Sequence, residues 1–366
     1  MAFYSVKEID KTGAHYRMII GERSNGKTYS VLSEVILENY VHNNEQGAIL
    51  RRYMEDFKGL RGKNMFANIV ANGRVFELTA GKWTDIIYKN RAWWLCKYDE
   101  ELDDIITDVE PFCYAFVLAQ MEHDKGSGTG YPKVTTIMFD EFISRVGYLN
   151  EEFMLFVNCV SNIVRLRDNV VIYMLGNTVN RYCPYFEEMG LYNVKNMKQG
   201  TIDVYTYGES KLKVAVEYCA NDKKNKKSKP SDVFFAFNNP KLKMLTTGIW
   251  EIDIYPHLPE KYTKEQVKLR FFIEFDKECV MGEVIRGKQG IFIYITRKTT
   301  PIKNDKDIVY SFDYSPNPYR RRNILKPQYK FEHVIYDLFK YDKVFYQDNM
   351  CGELVRNYLM NCKKGA

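Results

Sequence analysis

The sequence predicts an α/β protein. An N-terminal domain with a mostly parallel sheet flanked by helices is followed by a linking segment and a smaller C-terminal α/β domain. Short apolar runs predict the sheet: Tyr16–Ile20, Val134–Phe139 and Asn169–Asn177 have the look of strands buried on both faces. Each runs straight into a Gly, Asp or Asn, at the edge where open parallel sheets bind ligands. Helical periodicity follows the first two runs, which is the alternation a parallel sheet requires.

The first loop, Gly21 to Thr28, reads G-E-R-S-N-G-K-T and satisfies G-x-x-x-x-G-K-[ST]. After it, Val31, Leu32, Val35 and Ile36 recur at helical spacing, so a helix is expected to begin near Lys27. Strand, glycine loop and helix let backbone N–H groups across Arg23, Ser24, Asn25 and Gly26 face an anionic phosphate. Lys27 would reach the β- and γ-phosphates of ATP, and the Thr28 hydroxyl would hold Mg²⁺.

A second strand, Val134–Phe139, ends in Asp140 and Glu141. Two adjacent acids at the end of a buried strand are costly unless a cation lies beside them. In a nucleotide hydrolase Asp140 holds the metal and Glu141 polarises the attacking water as general base. The third strand ends in Asn177, which suits a sensor of the γ-phosphate on an extra strand between the two motif strands. A turn-capping asparagine is the plainer reading.

Between them, Asn150 with Glu151 and Glu152 forms a helix start. Phe153, Val157, Val160 and Val164 supply the expected buried stripe. The helix is expected to run into Arg165 and Arg167, either complementing the helix C-terminus or offering an arginine finger to a neighbouring subunit. Residues two apart do not share a helix face, so only one of them can be the finger, and Arg165 is favoured.

Upstream, a strand ends in Arg51 and Arg52, which could restrain Glu141, and a basic loop carries Lys58, Arg61 and Lys63. These lysines and Arg61 could touch nucleic-acid phosphate without reading bases. Residues 74–83 and 85–98 read as paired strands with a turn at Lys89-Asn90-Arg91. Residues 123–133 form a glycine loop with no helix after it, hence not a second phosphate loop.

Composition narrows the classes. The 366 residues are 45% hydrophobic and 27% charged, ordinary for a globular protein, with length for two domains. No run approaches the roughly 18 apolar residues of a membrane span. The N-terminal residues carry acids and lack a signal peptide's apolar core, so a cytoplasmic location is expected. Eight scattered cysteines without a C-x-x-C pair and five separated histidines argue against a zinc site or disulfide frame. A net charge of +6 is a mild bias towards polyanions.

The P-loop, Leu50–Tyr53 (L-R-R-Y) and the block Val134–Phe186 together resemble the DNA-packaging motor ATPases of small podovirus bacteriophages. These are additional-strand P-loop ATPases related to the HerA and FtsK translocases. The order of Walker acids, arginine pair, sensor strand and the ending Cys183-Pro184-Tyr185-Phe186 carries the resemblance. It implies a pentameric ring on the portal protein of an empty capsid, in the host cytoplasm, drawing in double-stranded DNA as ATP is hydrolysed. A structural RNA is a further possible partner.

On this resemblance Lys27 and Thr28 bind phosphate and Mg²⁺, Asp140 the metal, and Glu141 is catalytic. Arg165 is the finger acting in trans, Asn177 the sensor, and Arg51 a partner holding the glutamate until DNA is gripped. Arg23 matches a basic position in the family's P-loop. Glu22 departs from the pattern and is expected to point away from the phosphates.

The expected domains are residues 1–220, a linker over 221–258 marked by the lysine-rich stretch 219–232, and residues 259–366. The last is expected, by the same resemblance, to be an RNase H-like fold with a degenerate nuclease. Its strands are read at Leu269–Phe275 and Gly290–Thr296, with helices over 333–347 and 351–362. Glu274 and Asp276 would share one strand face, short of the three or four carboxylates a two-metal nuclease needs. Tyr319–Asn323, Y-R-R-R-N, is the expected basic contact for DNA, portal or RNA. Two other readings stay open: a different ATP-dependent enzyme such as a helicase, and an assembly protein gated by nucleotide without turnover. Glu141 argues against the latter.

Overall fold

Four strands buried on both faces organise the larger part of the molecule. They are β1 (Tyr16–Gly21), β2 (Gln46–Arg51), β7 (Val134–Asp140) and β8 (Val171–Asn177). In the computed structural model the described residues are 4–120, 130–208, 211–220, 249–258, 261–288 and 290–364. The chain divides into two compact units, Met1–Trp250 and Glu251–Ala366.

The sheet of the first unit also contains β3 (Asp85–Lys89), β4 (Ala92–Asp99), β5 (Asp104–Thr107), β6 (Cys113–Val117), β9 (Thr201–Thr206) and β10 (Lys213–Tyr218). Its order is β3-β4-β6-β2-β7-β8-β1-β10-β9, with β5 beside β4. The run from β6 to β10 is parallel throughout. β8 therefore lies between the P-loop strand β1 and the acid-ending strand β7, the extra-strand arrangement expected from the motifs.

Alternation along the strands feeds two cores. Met18, Ile20, Leu50, Ile137, Phe139 and Met174 pack into one, and Ile19, Ile49, Met138 and Leu175 into the other. Register then aligns the strand ends. Gly21 pairs with Asn177, Leu175 with Asp140, and Leu50 with Phe139, so the polar termini meet at one edge.

The helix after the P-loop begins at Lys27 as expected: α1 (Lys27–Ser30) continues π-wound over Val31–Leu37. Residues 74–83 are not a strand. Arg74–Leu78 is helical, entered through Gly73 at φ 71°, with Arg74 pairing to Glu38 and Glu77 and Val75 fully buried. The pairing of β3 with β4 holds, and Asn90 and Arg91 turn it with φ of 52° and 58°. The loop carrying Lys58, Arg61 and Lys63 is partly helical over Leu60–Lys63.

The helix Glu152–Val164 buries Phe156, Cys159, Val160 and Ile163 rather than the whole expected stripe; Phe153, Val157 and Val164 are half-buried. Phe156 stacking on Phe139, with ring centroids 5.5 Å apart, sets that rotation. Asn150 does not cap it. Instead the Glu152 carboxylate reaches back to the Leu149 N–H at 2.7 Å. The helix stops at Val164, so the argument from helix faces does not apply to Arg165, which has φ 52°.

The second unit holds a sheet of order β15-β14-β11-β12-β13-β16, built from β11 (Val267–Phe275), β12 (Glu278–Gly287), β13 (Gly290–Arg297), β14 (Ile308–Tyr310), β15 (Arg320–Arg321) and β16 (Val344–Tyr346). β12 was not expected. Gly282 and Glu283 interrupt its apolar run, yet Gly282 sits opposite Phe271, whose ring occupies the space of a Cβ. The expected helix over 333–347 is two elements, a helix Lys330–Lys340 and β16. The second helix is Asn349–Lys364.

Asp276 lies past β11 in a turn at φ 52°, so it does not share a strand face with Glu274, and Glu274 pairs with Arg320 at 2.7 Å. Within the basic stretch two arginines are paired and the third is exposed: Arg320 pairs with Glu274 as above, and Arg322 faces solvent. Arg321 pairs with Glu332 at 2.9 Å and Arg322 lies over Tyr314. Among the described residues no group of three or more His, Cys, Asp or Glu side chains is placed to hold a metal, and no helix is long and apolar enough to cross a membrane. Most of the glycine loop 123–133 and of the lysine-rich stretch 219–232 lies outside the described residues.

Gly176, one residue before the end of β8, is packed against the loop that follows Glu141. An added Cβ would lie 2.8 Å from Ile143 and 2.9 Å from Phe142. Gly176→Ala is expected to cost about 1–3 kcal/mol by overpacking. The reading is a lower urea midpoint at unchanged slope.

Candidate functional site

The loop Gly21–Thr28 is wrapped around its own lysine. Ser24 at φ 60° and Gly26 at φ 94° take left-handed conformations, natural for the glycine and a strain for the serine. This curls the loop so that Lys27 Nζ donates to the Glu22 carbonyl at 2.6 Å, to Asn25 Oδ1 at 3.1 Å and to Asn177 Oδ1 at 3.4 Å. Burial lowers the Lys27 pKa, opposed in part by the Asp140 and Glu22 carboxylates. Glu22 is half-buried, and burial raises its pKa while the Lys27 charge offsets part of that rise.

Asp140 is the buried acid of the site. Thr28 Oγ1 donates to its Oδ1 at 3.4 Å, and Arg51 reaches its Oδ2 at 2.7 Å. Burial pushes the Asp140 carboxyl up from its ordinary value, while the adjacent guanidinium pulls it down. A direct contact to a cation at that distance favours the carboxylate. The other arm of Arg51 pairs with Glu141 Oε2 at 2.8 Å, so one guanidinium spans both acids. Arg51 Nε is buried with no hydrogen-bond partner among the described residues. Glu141 itself has φ 59°, and its side chain is 62% exposed, leaving room for it to move.

Arg52 does something different from its neighbour. Its guanidinium is buried and bidentate with Glu152, at 2.7 Å on each arm, and it donates to the carbonyls of Glu141 at 3.1 Å and Phe142 at 2.9 Å. It lies over the rings of Phe139 and Tyr148, and Tyr185 Oη donates to Glu152 Oε1 at 3.0 Å. Burial works against the charge, and the Glu152 hydrogen bonds and charge overcome it, so the Arg52 pKa stands above its ordinary value. The sequence placed Arg52 as a strand-end charge and Glu152 as a helix-start charge. Nothing local marks them as partners 100 residues apart.

The two arginines at the helix end also separate. Arg167 is committed to backbone carbonyls, donating to Val134 at 2.6 Å, Ile163 at 2.8 Å, Tyr131 at 3.0 Å, Pro132 at 3.0 Å and Val164 at 3.2 Å. It ties the helix end to the start of β7. Arg165 is exposed beside it. Lys58, Arg61 and Lys63 are exposed, with Lys58 on Glu55 at 3.1 Å and Arg61 on the Glu55 carbonyl.

The loop, Asp140, Glu141 and Asn177 enclose a cavity of about 560 Å³. Across Asp140, Glu141 and Asn177 lies a second cavity of about 330 Å³, lined by Arg23, Arg51 and Arg145 among others. The structure thus brings together Gly21, Ser24, Asn25, Gly26, Lys27, Thr28, Arg51, Asp140, Glu141 and Asn177. Sequence reasoning missed Tyr29, Asn68 and Asn72 on the first cavity's wall. The available signals were position next to Thr28 and the four-residue spacing of the asparagines.

Comparison with known proteins agrees with this architecture. The family described as Podovirus DNA encapsidation protein (Gp16) matches residues 1–341. A DNA packaging protein of Bacillus phage B103 is 28% identical over 176 residues, 47% of each chain. That of Bacillus phage phi29 is 24% identical over 187 residues, 50% of this chain and 49% of its own. The chain spans about half the length of the curated relatives it matches. Among solved structures, the Phi-28 gp11 DNA packaging motor aligns at TM-score 0.54 and 19% identity, over 99% of this chain and 98% of that one. The bacteriophage Phi-29 viral genome packaging motor assembly aligns at 0.54 and 17%, over 100% and 99%. At these identities the structures show a shared fold.

The buried pair gives a stability test. Arg52→Ala leaves Glu152 buried and unpaired and is expected to cost about 3–5 kcal/mol. Replacing both by apolar residues, Arg52→Met with Glu152→Leu, is expected to recover most of that loss in urea unfolding.

Proposed function

The chain belongs to the podovirus DNA encapsidation protein family, and from that premise we propose that it is the ATPase of a viral DNA-packaging motor. In this reading it hydrolyses ATP to draw double-stranded DNA into a preformed capsid, as a pentameric ring seated on the portal protein in the host cytoplasm. A structural RNA is a further partner in the same reading. The observation that carries it is the convergence of Lys27, Thr28, Asp140, Glu141 and Asn177 on one cavity at the sheet's carboxyl edge.

The chemistry follows from the side chains. Loop N–H groups and Lys27 bind the β- and γ-phosphates, and Asn177 holds Lys27 from the opposite strand. The Thr28 hydroxyl and Asp140 carboxylate are hard oxygen ligands facing each other and would hold Mg²⁺, which supplies charge neutralisation on the phosphates. Glu141 accepts a proton from water as the water oxygen bonds to the γ-phosphorus and the bond to the bridging oxygen breaks, releasing ADP.

For that, Glu141 must leave Arg51. The Arg51 pairing with both acids supports a restrained resting state released when DNA is gripped. Arg165 serves a neighbour's nucleotide in trans, while Arg167 ties the helix end to the start of β7. Lys58, Arg61 and Lys63 contact DNA phosphates without sequence preference. Arg23, exposed at the second cavity, adds positive charge beside Glu141.

Steady-state ATPase rates, with and without double-stranded DNA and across protein concentration, test the proposal. Glu141→Gln is expected to lower kcat by about 10²–10⁴-fold. Arg165→Ala is expected to lower it about 10³-fold or more and to abolish its dependence on protein concentration. Full, concentration-independent turnover by Arg165→Ala would instead point to a monomeric ATPase. Arg51→Ala is expected to raise DNA-free turnover relative to DNA-stimulated turnover; an unchanged ratio rules out the restraint.

A further inference from the structure

We infer that Tyr29, Asn68 and Asn72 form a nucleobase subsite that selects adenine, resting on the reading of the loop cavity as a nucleoside triphosphate site. The cavity, at about 560 Å³, is in the range of small-molecule sites and larger than a triphosphate alone needs. Its lining divides by chemistry. Lys27, Asp140 and Glu141 are charged, whereas Tyr29, Asn68 and Asn72 bring one aromatic ring and two carboxamides.

The second set is assembled from two places in the chain. Tyr29 directly follows the Thr28 of the phosphate loop, on α1. Asn68 lies in the helix α2 (Ala67–Ala71), and Asn72 closes it, with its N–H on the Asn68 carbonyl at 3.1 Å. Residues four apart share a helix face, so both carboxamides project the same way. Both are exposed, whereas Ile69 of the same helix is buried in the core. Asn72 Nδ2 donates to Tyr29 Oη at 3.3 Å, which holds a carboxamide beside the ring.

A half-buried tyrosine offers a stacking face that any base can use. A carboxamide offers one donor and one acceptor side by side. That pair complements N6 and N7 of adenine, where a donor and an acceptor are adjacent. A 6-oxo purine presents two acceptors there and leaves the carboxamide oxygen facing another oxygen. The ring supplies affinity, and the asparagines supply selection.

Titration calorimetry on the full chain in Mg²⁺ buffer, with ATP, inosine triphosphate and inorganic tripolyphosphate, tests this. Wild type is expected to bind ATP about tenfold more tightly than inosine triphosphate. Asn68→Ala with Asn72→Ala is expected to bring the two to parity and leave tripolyphosphate affinity unchanged. Tyr29→Ala is expected to weaken both nucleotides alike, again sparing tripolyphosphate. Equal wild-type affinity for the two purines, or a double variant that keeps the tenfold ratio, overturns the subsite while the nucleotide reading stands. Failure of wild type to bind either ATP or tripolyphosphate overturns both.

Discussion

Keeping an ionised carboxylate at the end of a fully buried strand is the constraint on which this structure depends. Asp140 closes β7, every residue of which is buried, and its charge is tolerable only beside compensating cations. Arg51 supplies one from the end of β2, the neighbouring strand, at 2.7 Å. Lys27 supplies a second charge from the loop after β1, two strands away on the other side. The strand order and register that bring these ends together are thus tied to the electrostatics, since a one-residue slip would move a charge to the opposite face.

The adjacent arginines at the end of β2 divide this work. Arg51 faces the acids, where its contact with Glu141 is partly exposed and can be exchanged. Arg52, one residue on, enters the core and is locked by Glu152, with two further bonds to the backbone just after Asp140. Arg51 contacts both acids, and Arg52 holds the backbone beside them. Glu152 also begins the helix that ends at Val164, so the backbone carrying Glu141 and the segment carrying Arg165 share one rigid connection. Arg167 anchors the far end of the same helix to the start of β7.

Local patterns made much of the site legible. Glycine spacing, β-branched runs and adjacent acids are contiguous in the chain, so Gly21–Thr28, Asp140, Glu141 and Asn177 were placed on the right loops and strand ends. The readings that failed depended on neighbours far away in sequence. β12 was overlooked because Gly282 and Glu283 break its apolar run, though Gly282 is there to admit Phe271. Residues 74–83 read as a strand, but Gly73 and the Arg74 ion pairs favour a helix over Arg74–Leu78. Glu152 reads as a helix-start acid, and the structure buries it against Arg52 at 2.7 Å.

The chain alone therefore determined the fold class, the order of the motif strands' chemistry and the candidate phosphate loop, because each is written in short-range spacing and local conformational preference. Only the tertiary structure decided which charges pair, that Arg52 and Arg167 hold the fold together, and that Tyr29, Asn68 and Asn72 share a cavity with the phosphate loop. The physical reason is that a charge or a carboxamide has no preferred partner in sequence. Its partner is set by desolvation and by what the packed sheet brings within about 3 Å, the reach of a hydrogen bond.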